Sequence, residues 1–257
     1  MSLVLHEEVG EIAVVYLNRP DKLNALSKEL VEKLSALLND LRITDTRVVI
    51  ISGTGDRAFS AGTDINLLAA ADPNTAAEIS RSGQQLCELI EKFPVPVIGA
   101  INGIAAGGGC ELALSCHLRI ASTDAEFSLP ETKLGLLPAY GGTQRLAKEI
   151  GLGRAIELML TGRTITSEEA LELGLVNRIS SPADLLNDTM SLAKEIAELA
   201  PLSVRACLRA VTEGLELPLN DGLKLETELF ASLFATEDAR EGTSAFLEKR
   251  NPKFKGK

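Results

Sequence analysis

Residues 95–116 read VPVIGAINGIAAGGGCELALSC, and this stretch decides the fold class. Its first part, residues 95–101, is a continuous apolar run of the kind that forms a strand buried on both faces of a sheet. Residues 108–116 read as a short apolar helix that begins at a triple glycine. A buried strand followed closely by a helix predicts an α/β protein with a largely parallel sheet.

The same alternation extends on both sides of this stretch. Residues 12–17 read as a strand, and leucines then recur every three or four residues after Ser27, which predicts an amphipathic helix with Ser27 as its N-cap. Val48–Ile51 is another continuous apolar strand, ending at Gly53. From Pro182 onward the patterns are helical, so we expect an α/β region followed by a helical carboxy-terminal region.

Composition and charge exclude several classes of protein. The chain has 257 residues, of which 45% are hydrophobic and 24% are charged, an ordinary balance for a soluble globular protein. Its apolar runs are too short for a membrane span and its start does not resemble a signal peptide, so we expect a cytoplasmic protein with no membrane association. A formal net charge of −10 argues against nucleic-acid binding. The last ten residues, with five Lys or Arg against one Glu, form a local basic patch.

The cysteines and histidines do not predict a metal site. The four cysteines are Cys87, Cys110, Cys116 and Cys207. None of them has zinc-type spacing, and three lie in apolar surroundings, which is typical of buried free thiols in a reducing compartment. The two histidines, His6 and His117, lie outside any metal-ligand pattern.

Three glycine segments are candidates for binding a ligand. Residues 53–58 match a loose dinucleotide pattern, but no helix is predicted to open there, so a strand-end turn is the better interpretation. Residues 61–65 read as a helix start with Asp64 near the helix dipole, although capping alone would explain the aspartate. The triple glycine at 107–109 is more specific. Three successive glycines are costly in backbone entropy, which favours close approach of another molecule over a structural turn.

Two glutamates stand near these glycines. Glu111 lies in the predicted helix among apolar neighbours, where an ionisable group needs partners or a function. Glu131 follows Pro130, and it is either a functional carboxylate or an ordinary first-turn acid of a helix. Uncovered N–H groups at a glycine-started helix, together with two carboxylates, are sufficient to polarise a carbonyl and move protons beside it.

Six ordered segments resemble the crotonase superfamily, also called the enoyl-CoA hydratase/isomerase family. They are NRPDKLNAL (18–26), FSAGTDI (59–65), NGIAAGGGCE (102–111), PE (130–131), GGTQRL (141–146) and AFLEKR (245–250). The resemblance implies a spiral core of β-β-α turns over residues 1–195, carrying an acyl-CoA site. It also implies a helical oligomerisation region over residues 196–257 that builds a homotrimer or a hexamer. No metal or redox cofactor is implied, because coenzyme A is part of the substrate.

The resemblance also implies roles for individual residues. The backbone N–H groups of Thr63 and Gly108 form an oxyanion hole for the thioester oxygen, Glu111 orients and deprotonates a water, and Glu131 delivers a proton to the α-carbon. The residues implied to bind coenzyme A or substrate are Lys22, Leu23, Ala25, Ala61, Thr63, Asp64, Ile65, Gly107, Gly108, Phe246 and Lys249. Phe246 and Lys249 match tail positions that reach the nucleotide end, in the same or a neighbouring subunit.

Hydratases of this family carry glutamates at both positions, so the resemblance implies hydration of a 2-enoyl-CoA to a 3-hydroxyacyl-CoA. The alternatives are a Δ3,Δ2-enoyl-CoA isomerase, which needs only Glu131, a methylglutaconyl-CoA-type hydratase, and a coenzyme A-binding assembly protein without turnover. Two positions depart from the common hydratase pattern. Thr63 stands where alanine is common, and Ala139 stands where glycine is common. Both departures bear on the substrate more than on the reaction class.

Overall fold

The computed structural model describes residues 2–257, in which strands and helices alternate as far as residue 197. The strands are β1 (Val4–Val9), β2 (Ile12–Leu17), β3 (Val48–Gly53), β4 (Ala58–Ser60), β5 (Val97–Ile101), β6 (Ile104–Ala106), β7 (Leu118–Ser122), β8 (Glu126–Ser128), β9 (Ile165–Thr166) and β10 (Arg178–Ser180). They form a six-stranded sheet in the order β1-β2-β3-β5-β7-β10 and a four-stranded sheet in the order β4-β6-β8-β9. All neighbours are parallel except the pairs β1–β2 and β8–β9. The predicted α/β fold with a largely parallel sheet is therefore confirmed.

The helices cover the larger sheet and continue beyond it. They are α1 (Lys28–Leu41), α2 (Ile65–Ala69), α3 (Pro73–Glu91), α4 (Gly108–Ser115), α5 (Gly142–Ile150), α6 (Leu152–Thr161), α7 (Ser167–Glu172), α8 (Leu185–Ala197), α9 (Pro201–Gly214), α10 (Leu219–Leu233) and α11 (Glu237–Glu248). The predicted N-cap of α1 is confirmed, since the Ser27 hydroxyl accepts a hydrogen bond from Leu30 N at 3.3 Å.

Both faces of the six-stranded sheet are buried, which explains the continuous apolar runs of its central strands. All six residues of β3 are buried. Val49 and Ile51 face the main core, which includes residues of α1, α3 and α4, whereas Val48 and Ile50 face a second apolar cluster beneath α8. The strand therefore has no solvent face on which polar residues would alternate.

The carboxy-terminal helices divide into two kinds. Helix α8 packs on the six-stranded sheet, and α9 and α10 pack against each other. The predicted helical character after Pro182 is thus present from α8 to α11. The division between residues 195 and 196 falls in the last turn of α8 and stays a prediction.

The shorter sheet positions the glycine segments. Strands β4 and β6 are parallel neighbours, so the loops that follow them, beginning at residues 61 and 107, leave the same edge. Residues 53–58 form the turn between β3 and β4 and open no helix, as the strand-end interpretation predicts.

Candidate active site

Two backbone amides meet where the loops after β4 and β6 converge. Leu26 N donates to Gly62 O at 2.8 Å and Asp64 N donates to Leu26 O at 3.1 Å, so the N–H of Thr63 between them points away from Leu26. A Cβ built on Gly108 would lie 3.3 Å from Thr63 N. Gly108 is also the first residue of α4, whose N–H has no acceptor within the helix. Two free amides side by side can hold one negatively charged oxygen.

The three glycines of the run each have a different close neighbour. Gly107 has a φ of +50°, and a Cβ there would lie 2.9 Å from Glu131 Oε1. A Cβ on Gly109 would lie 2.1 Å from Ser60 O. All of these neighbours belong to the chain itself, and the main-chain contact at Gly109 is a structural reason for glycine there; the interpretation that an approaching molecule requires the run stays a prediction.

Glu111 is buried on α4 and is held by main-chain donors. Only 1% of the residue is exposed. Its Oε1 accepts hydrogen bonds from Tyr140 N at 2.8 Å and from Gly142 N at 2.6 Å. Burial raises the pKa of Glu111, and these two amides oppose the shift because they stabilise the carboxylate. The arrangement fixes Oε1 and leaves Oε2 as the oxygen for a further partner.

The loop that supplies those donors is fixed in turn. Arg145 Nη1 donates to Tyr140 O at 2.9 Å, and Arg145 Nη2 bonds Glu91 at 2.7 Å. From α3, Ser80 Oγ donates to Ala139 O at 2.8 Å. This function of Tyr140 and Gly142 was not predictable from the sequence, because a backbone donor leaves no trace in the identity of its side chain.

Glu131 begins a 3₁₀ turn directly after Pro130. Its Oε2 is buried and has no hydrogen-bond partner among the described residues. Burial raises the pKa of Glu131 to about 7, and the nearby charge of Glu111 acts in the same direction. A carboxyl group with a pKa close to neutral pH both donates and accepts protons readily, as a general acid or base requires.

Both glutamates open onto one cavity of about 560 Å³, a volume suited to a small-molecule ligand. Its lining comprises Ala61, Gly62, Thr63, Ile65, Leu68, Ala76, Ile79, Ser80, Gly107, Gly108, Glu111, Pro130, Glu131, Leu134, Gly135, Leu136, Leu137, Ala139 and Tyr140. The four residues predicted to be catalytic, Thr63, Gly108, Glu111 and Glu131, are all present. Ala76, Ile79 and Ser80 of α3 form one wall, within the stretch from about residue 67 to 90 where the sequence predicts residues that decide substrate size without placing them individually.

The residues predicted to bind coenzyme A fall into three groups. Those that line this cavity are Ala61, Thr63, Ile65, Gly107 and Gly108. Leu23 lines a separate cavity of about 260 Å³. Lys22, Ala25, Asp64, Phe246 and Lys249 line neither cavity. The binding roles of all these residues stay predictions.

Asp64 supports the loop instead of lining the cavity. Its carboxylate accepts from Arg19 Nη2 at 3.1 Å and caps α2 by accepting from Asn66 N at 3.1 Å. Arg19 also donates to Ala25 O at 2.7 Å, which ties the loop containing Thr63 to residues 19–25. The capping interpretation of Asp64 is therefore confirmed.

Two further features bear on the class of protein. Within residues 2–257, none of the helices has the length and hydropathy that crossing a bilayer requires. Over the same residues, His, Cys, Asp and Glu side chains form no group of three or more able to hold a metal ion. All four cysteines are free, and Cys87, Cys110 and Cys116 are buried as predicted.

A family model described as enoyl-CoA hydratase/isomerase matches residues 7–257. The chain belongs to this family. The membership confirms the resemblance to the crotonase superfamily that the six motifs indicate.

Individual members of the enoyl-CoA hydratase/isomerase family match over nearly their whole length. The crotonyl-CoA hydratase of Syntrophomonas wolfei is 39% identical over 98% of this chain and 97% of its own length. The 2,3-dehydroadipyl-CoA hydratase of Escherichia coli is 41% identical, and the match covers 100% of both chains. The solved structure of an enoyl-CoA hydratase from Bacillus anthracis superposes with a TM-score of 0.97 at 38% identity, also over 100% of both chains. The two named substrates differ in their acyl groups, so membership of the family leaves the acyl group open.

Proposed function

We propose that this protein is an enoyl-CoA hydratase, which adds water across the 2,3-double bond of a 2-enoyl-CoA thioester and gives a 3-hydroxyacyl-CoA. The reaction belongs to fatty acid β-oxidation or related acyl-CoA catabolism. One observation supports the proposal above the others: the carboxylates of Glu111 and Glu131 and the amides of Thr63 and Gly108 line a single cavity. Relatives named as hydratases of enoyl-CoA thioesters support it independently.

In the proposed mechanism the thioester oxygen accepts hydrogen bonds from Thr63 N and Gly108 N. Negative charge develops on this oxygen when water adds to the β-carbon, so the two amides stabilise the enolate more than the substrate. Because they belong to a rigid sheet edge and a helix start, they need little reorganisation during the reaction.

The two carboxyl groups take different parts in this mechanism. Glu111, with Oε1 fixed by two amides, accepts a proton from the water through Oε2 while the water oxygen bonds to the β-carbon. Glu131, with a pKa of about 7, then gives its proton to the α-carbon of the enolate. The cycle leaves Glu111 protonated and Glu131 ionised, and a proton exchange between them restores the starting state. No metal or redox cofactor takes part.

Coenzyme A is proposed to lie along the residues that the family resemblance assigns to it. These are Lys22, Leu23, Ala25, Ala61, Asp64, Ile65 and Gly107, with Phe246 and Lys249 at the nucleotide end. The side chains of Lys22 and Lys249 would offset the phosphate charges that an acidic protein otherwise repels.

A homotrimer or a hexamer formed from two trimers is part of the same proposal, as is a cytoplasmic location. Exposed apolar side chains on the carboxy-terminal helices support the assembly, since monomers seldom expose large apolar patches. They include Val211, Leu215, Leu219, Leu223, Phe230 and Phe234. Residues 196–257 would then form the oligomerisation region and residues 1–195 the part that carries the site.

A direct assay tests the reaction. Purified protein is mixed with crotonyl-CoA, and loss of the enoyl-thioester absorbance is followed. Absence of change at high protein concentration would overturn the proposal. The variant Glu111→Gln separates it from the isomerase alternative, because a hydratase loses about 10²-fold or more in kcat, whereas an isomerase that needs only Glu131 keeps most of its activity on a 3-enoyl-CoA.

A further inference from the structure

The aromatic ring of Tyr140 fills the space between α3 and the glycine run. A Cβ on Gly83 would lie 2.1 Å from the ring carbon Cδ1, and a Cβ on Gly108 would lie 3.3 Å from Cε2. Only 3% of Tyr140 is exposed, although the residue lines the cavity. The ring is therefore a wall of the cavity, and Gly83 provides the room for it because any side chain there would overlap the ring.

The backbone around the ring is held on several sides. Tyr140 N donates to Glu111 at 2.8 Å, and Tyr140 O accepts from Arg145 at 2.9 Å. The preceding carbonyl, Ala139 O, accepts from Ser80 Oγ at 2.8 Å and from Gln84 Nε2 at 3.1 Å. The main chain of Tyr140 therefore cannot shift without breaking several hydrogen bonds, and Gly83 closes the space on one side of its ring.

The position of the ring relative to the chemistry follows from the proposed function. The thioester oxygen lies at Thr63 N and Gly108 N, and the β-carbon lies near the water that Glu111 holds. Tyr140 both borders Gly108 and bonds Glu111. Tyr140 shares the lining of this cavity with Ala76 and Ile79 of α3, so an acyl chain that extends past the β-carbon on this side meets the Tyr140 ring.

We infer that Tyr140 determines acyl-chain specificity, its ring acting with Gly83 as a fixed stop that favours short acyl chains over long ones. The inference rests on the proposed hydratase function and goes beyond it. Tyr140 contributes its backbone N–H to positioning Glu111 and its side chain to limiting the substrate, so the two contributions separate on mutation. Substitution of the side chain keeps the N–H that positions Glu111 and changes the wall of the cavity.

The test compares kcat/KM for 2-enoyl-CoA thioesters of four, six, eight and ten acyl carbons. Wild type and Tyr140→Phe are expected to share one declining length profile, because phenylalanine keeps the ring. In Tyr140→Ala the ratio of the ten-carbon to the four-carbon substrate is expected to rise by about tenfold or more, as removal of an apolar wall commonly does. Using a ratio within one protein cancels any general loss of activity.

A second variant tests the inference by making the cavity smaller, and it leaves the buried ring of Tyr140 in place. In Gly83→Ala the new Cβ pushes the Tyr140 ring toward the cavity, so the same ratio is expected to fall. Circular dichroism and thermal unfolding establish that each variant is folded. A folded Tyr140→Ala with the wild-type profile, or a Gly83→Ala that favours long chains, overturns the inference. Absence of turnover for every chain length in wild type overturns the proposed function itself.

Discussion

The α-carbon of Gly109 lies so close to the main chain of Ser60 that a Cβ on Gly109 would stand 2.1 Å from Ser60 O and 2.7 Å from the carbonyl carbon. This contact joins the end of β4 to the first turn of α4. The loop carrying Thr63 begins just after Ser60, and Gly108 precedes Gly109. The close approach therefore sets the separation of the two amides that line the cavity.

Alanine at position 109 is expected to destabilise the fold, because a backbone carbonyl cannot yield as a flexible side chain can. We expect Gly109→Ala to lower the free energy of unfolding by about 2–4 kcal/mol, measured by urea denaturation. The matched control is Gly153→Ala in α6, where no atom beyond the adjacent residues and the helix's own backbone lies within 4 Å of the added Cβ, so stability should be unchanged or slightly higher. Equal effects at the two positions would contradict this account.

Most of the larger sheet could be predicted from the sequence because its strands are long and continuous. Strands β2, β3 and β5 each contain five or six buried residues, and their apolar runs are unmistakable. The second sheet consists of strands of two or three residues, which are too short to show a period. Yet it is this second sheet that brings residues 61–64 beside residues 107–109.

The residues of the candidate site that act through their side chains could be predicted from the sequence. Glu111 was recognisable as a carboxylate among apolar neighbours, and Glu131 through its spacing and the family motif. The main-chain donors of Tyr140 and Gly142 were not, because any residue offers an N–H and only the fold aims it at Glu111. The Gly83–Tyr140 contact was also invisible, since it joins α3 to a distant loop.

The raised pKa of Glu131 predicts how stability depends on pH. Its pKa rises from 4.5 to about 7 on folding, so between these values the folded protein binds more protons than the unfolded chain, and the contribution of Glu131 to stability falls as pH rises. In Glu131→Gln this decline in stability with rising pH is absent, because glutamine does not ionise. Relative to wild type, the variant is expected to gain about 1–3 kcal/mol in unfolding free energy between pH 4.5 and pH 8.

Urea denaturation at several pH values measures this difference. The stabilised variant should also be almost inactive, as expected where a functional group is kept at a cost in stability. Glu126→Gln on the short strand β8 is a matched control at an exposed position and should show no such trend. A flat difference between Glu131→Gln and wild type over the whole range would show that Glu131 titrates normally.

The same pKa predicts the pH dependence of turnover. If Glu131 donates the proton to the α-carbon, kcat for hydration should decline as pH passes above about 7, because the ionised fraction of Glu131 then has no proton to give. Steady-state rates with crotonyl-CoA from pH 5.5 to 9.5 measure this. A kcat that stays constant to pH 9 would assign the proton transfer to another group.

Substitution of Thr63 tests whether its amide or its side chain stabilises the thioester oxygen in the proposed mechanism. Its N–H is free, and its Oγ1 lies 3.0 Å from where a Cβ on Gly108 would stand. We expect Thr63→Ala to keep kcat with crotonyl-CoA within about tenfold of wild type, because alanine retains the N–H. A loss comparable to that of Glu111→Gln would show that the hydroxyl participates directly.

The charge of the cavity predicts selection against acyl chains that end in a carboxylate. Its only ionisable acidic or basic lining residues are Glu111 and Glu131, and no Lys, Arg or His belongs to the lining within residues 2–257. Among the nearest basic residues along the chain, two are engaged elsewhere, whereas Arg81, beside Ser80 on α3, is exposed to solvent. Lys133 Nζ donates to Gly162 O at 2.6 Å, and Arg145 bonds Glu91 and Tyr140 O. A carboxylate brought into this apolar space would be unpaired and near other carboxylates, which is strongly unfavourable.

A pair of substrates of equal length isolates this effect. We expect kcat/KM for 2-hexenoyl-CoA to exceed that for 2,3-dehydroadipyl-CoA by about 10²-fold or more, since the two differ only at the far end of the acyl chain. The comparison matters because the Escherichia coli relative is named for the second acyl group although it matches this chain over its full length. Leu137 is an exposed part of the lining, and Leu137→Lys should reduce the ratio of the two kcat/KM values. Leu137→Gln, which is polar but uncharged, should leave this ratio unchanged. Similar kcat/KM values for both substrates in the wild-type protein would mean that a cation outside the lining, either Arg81 or one from a neighbouring subunit, pairs with the carboxylate.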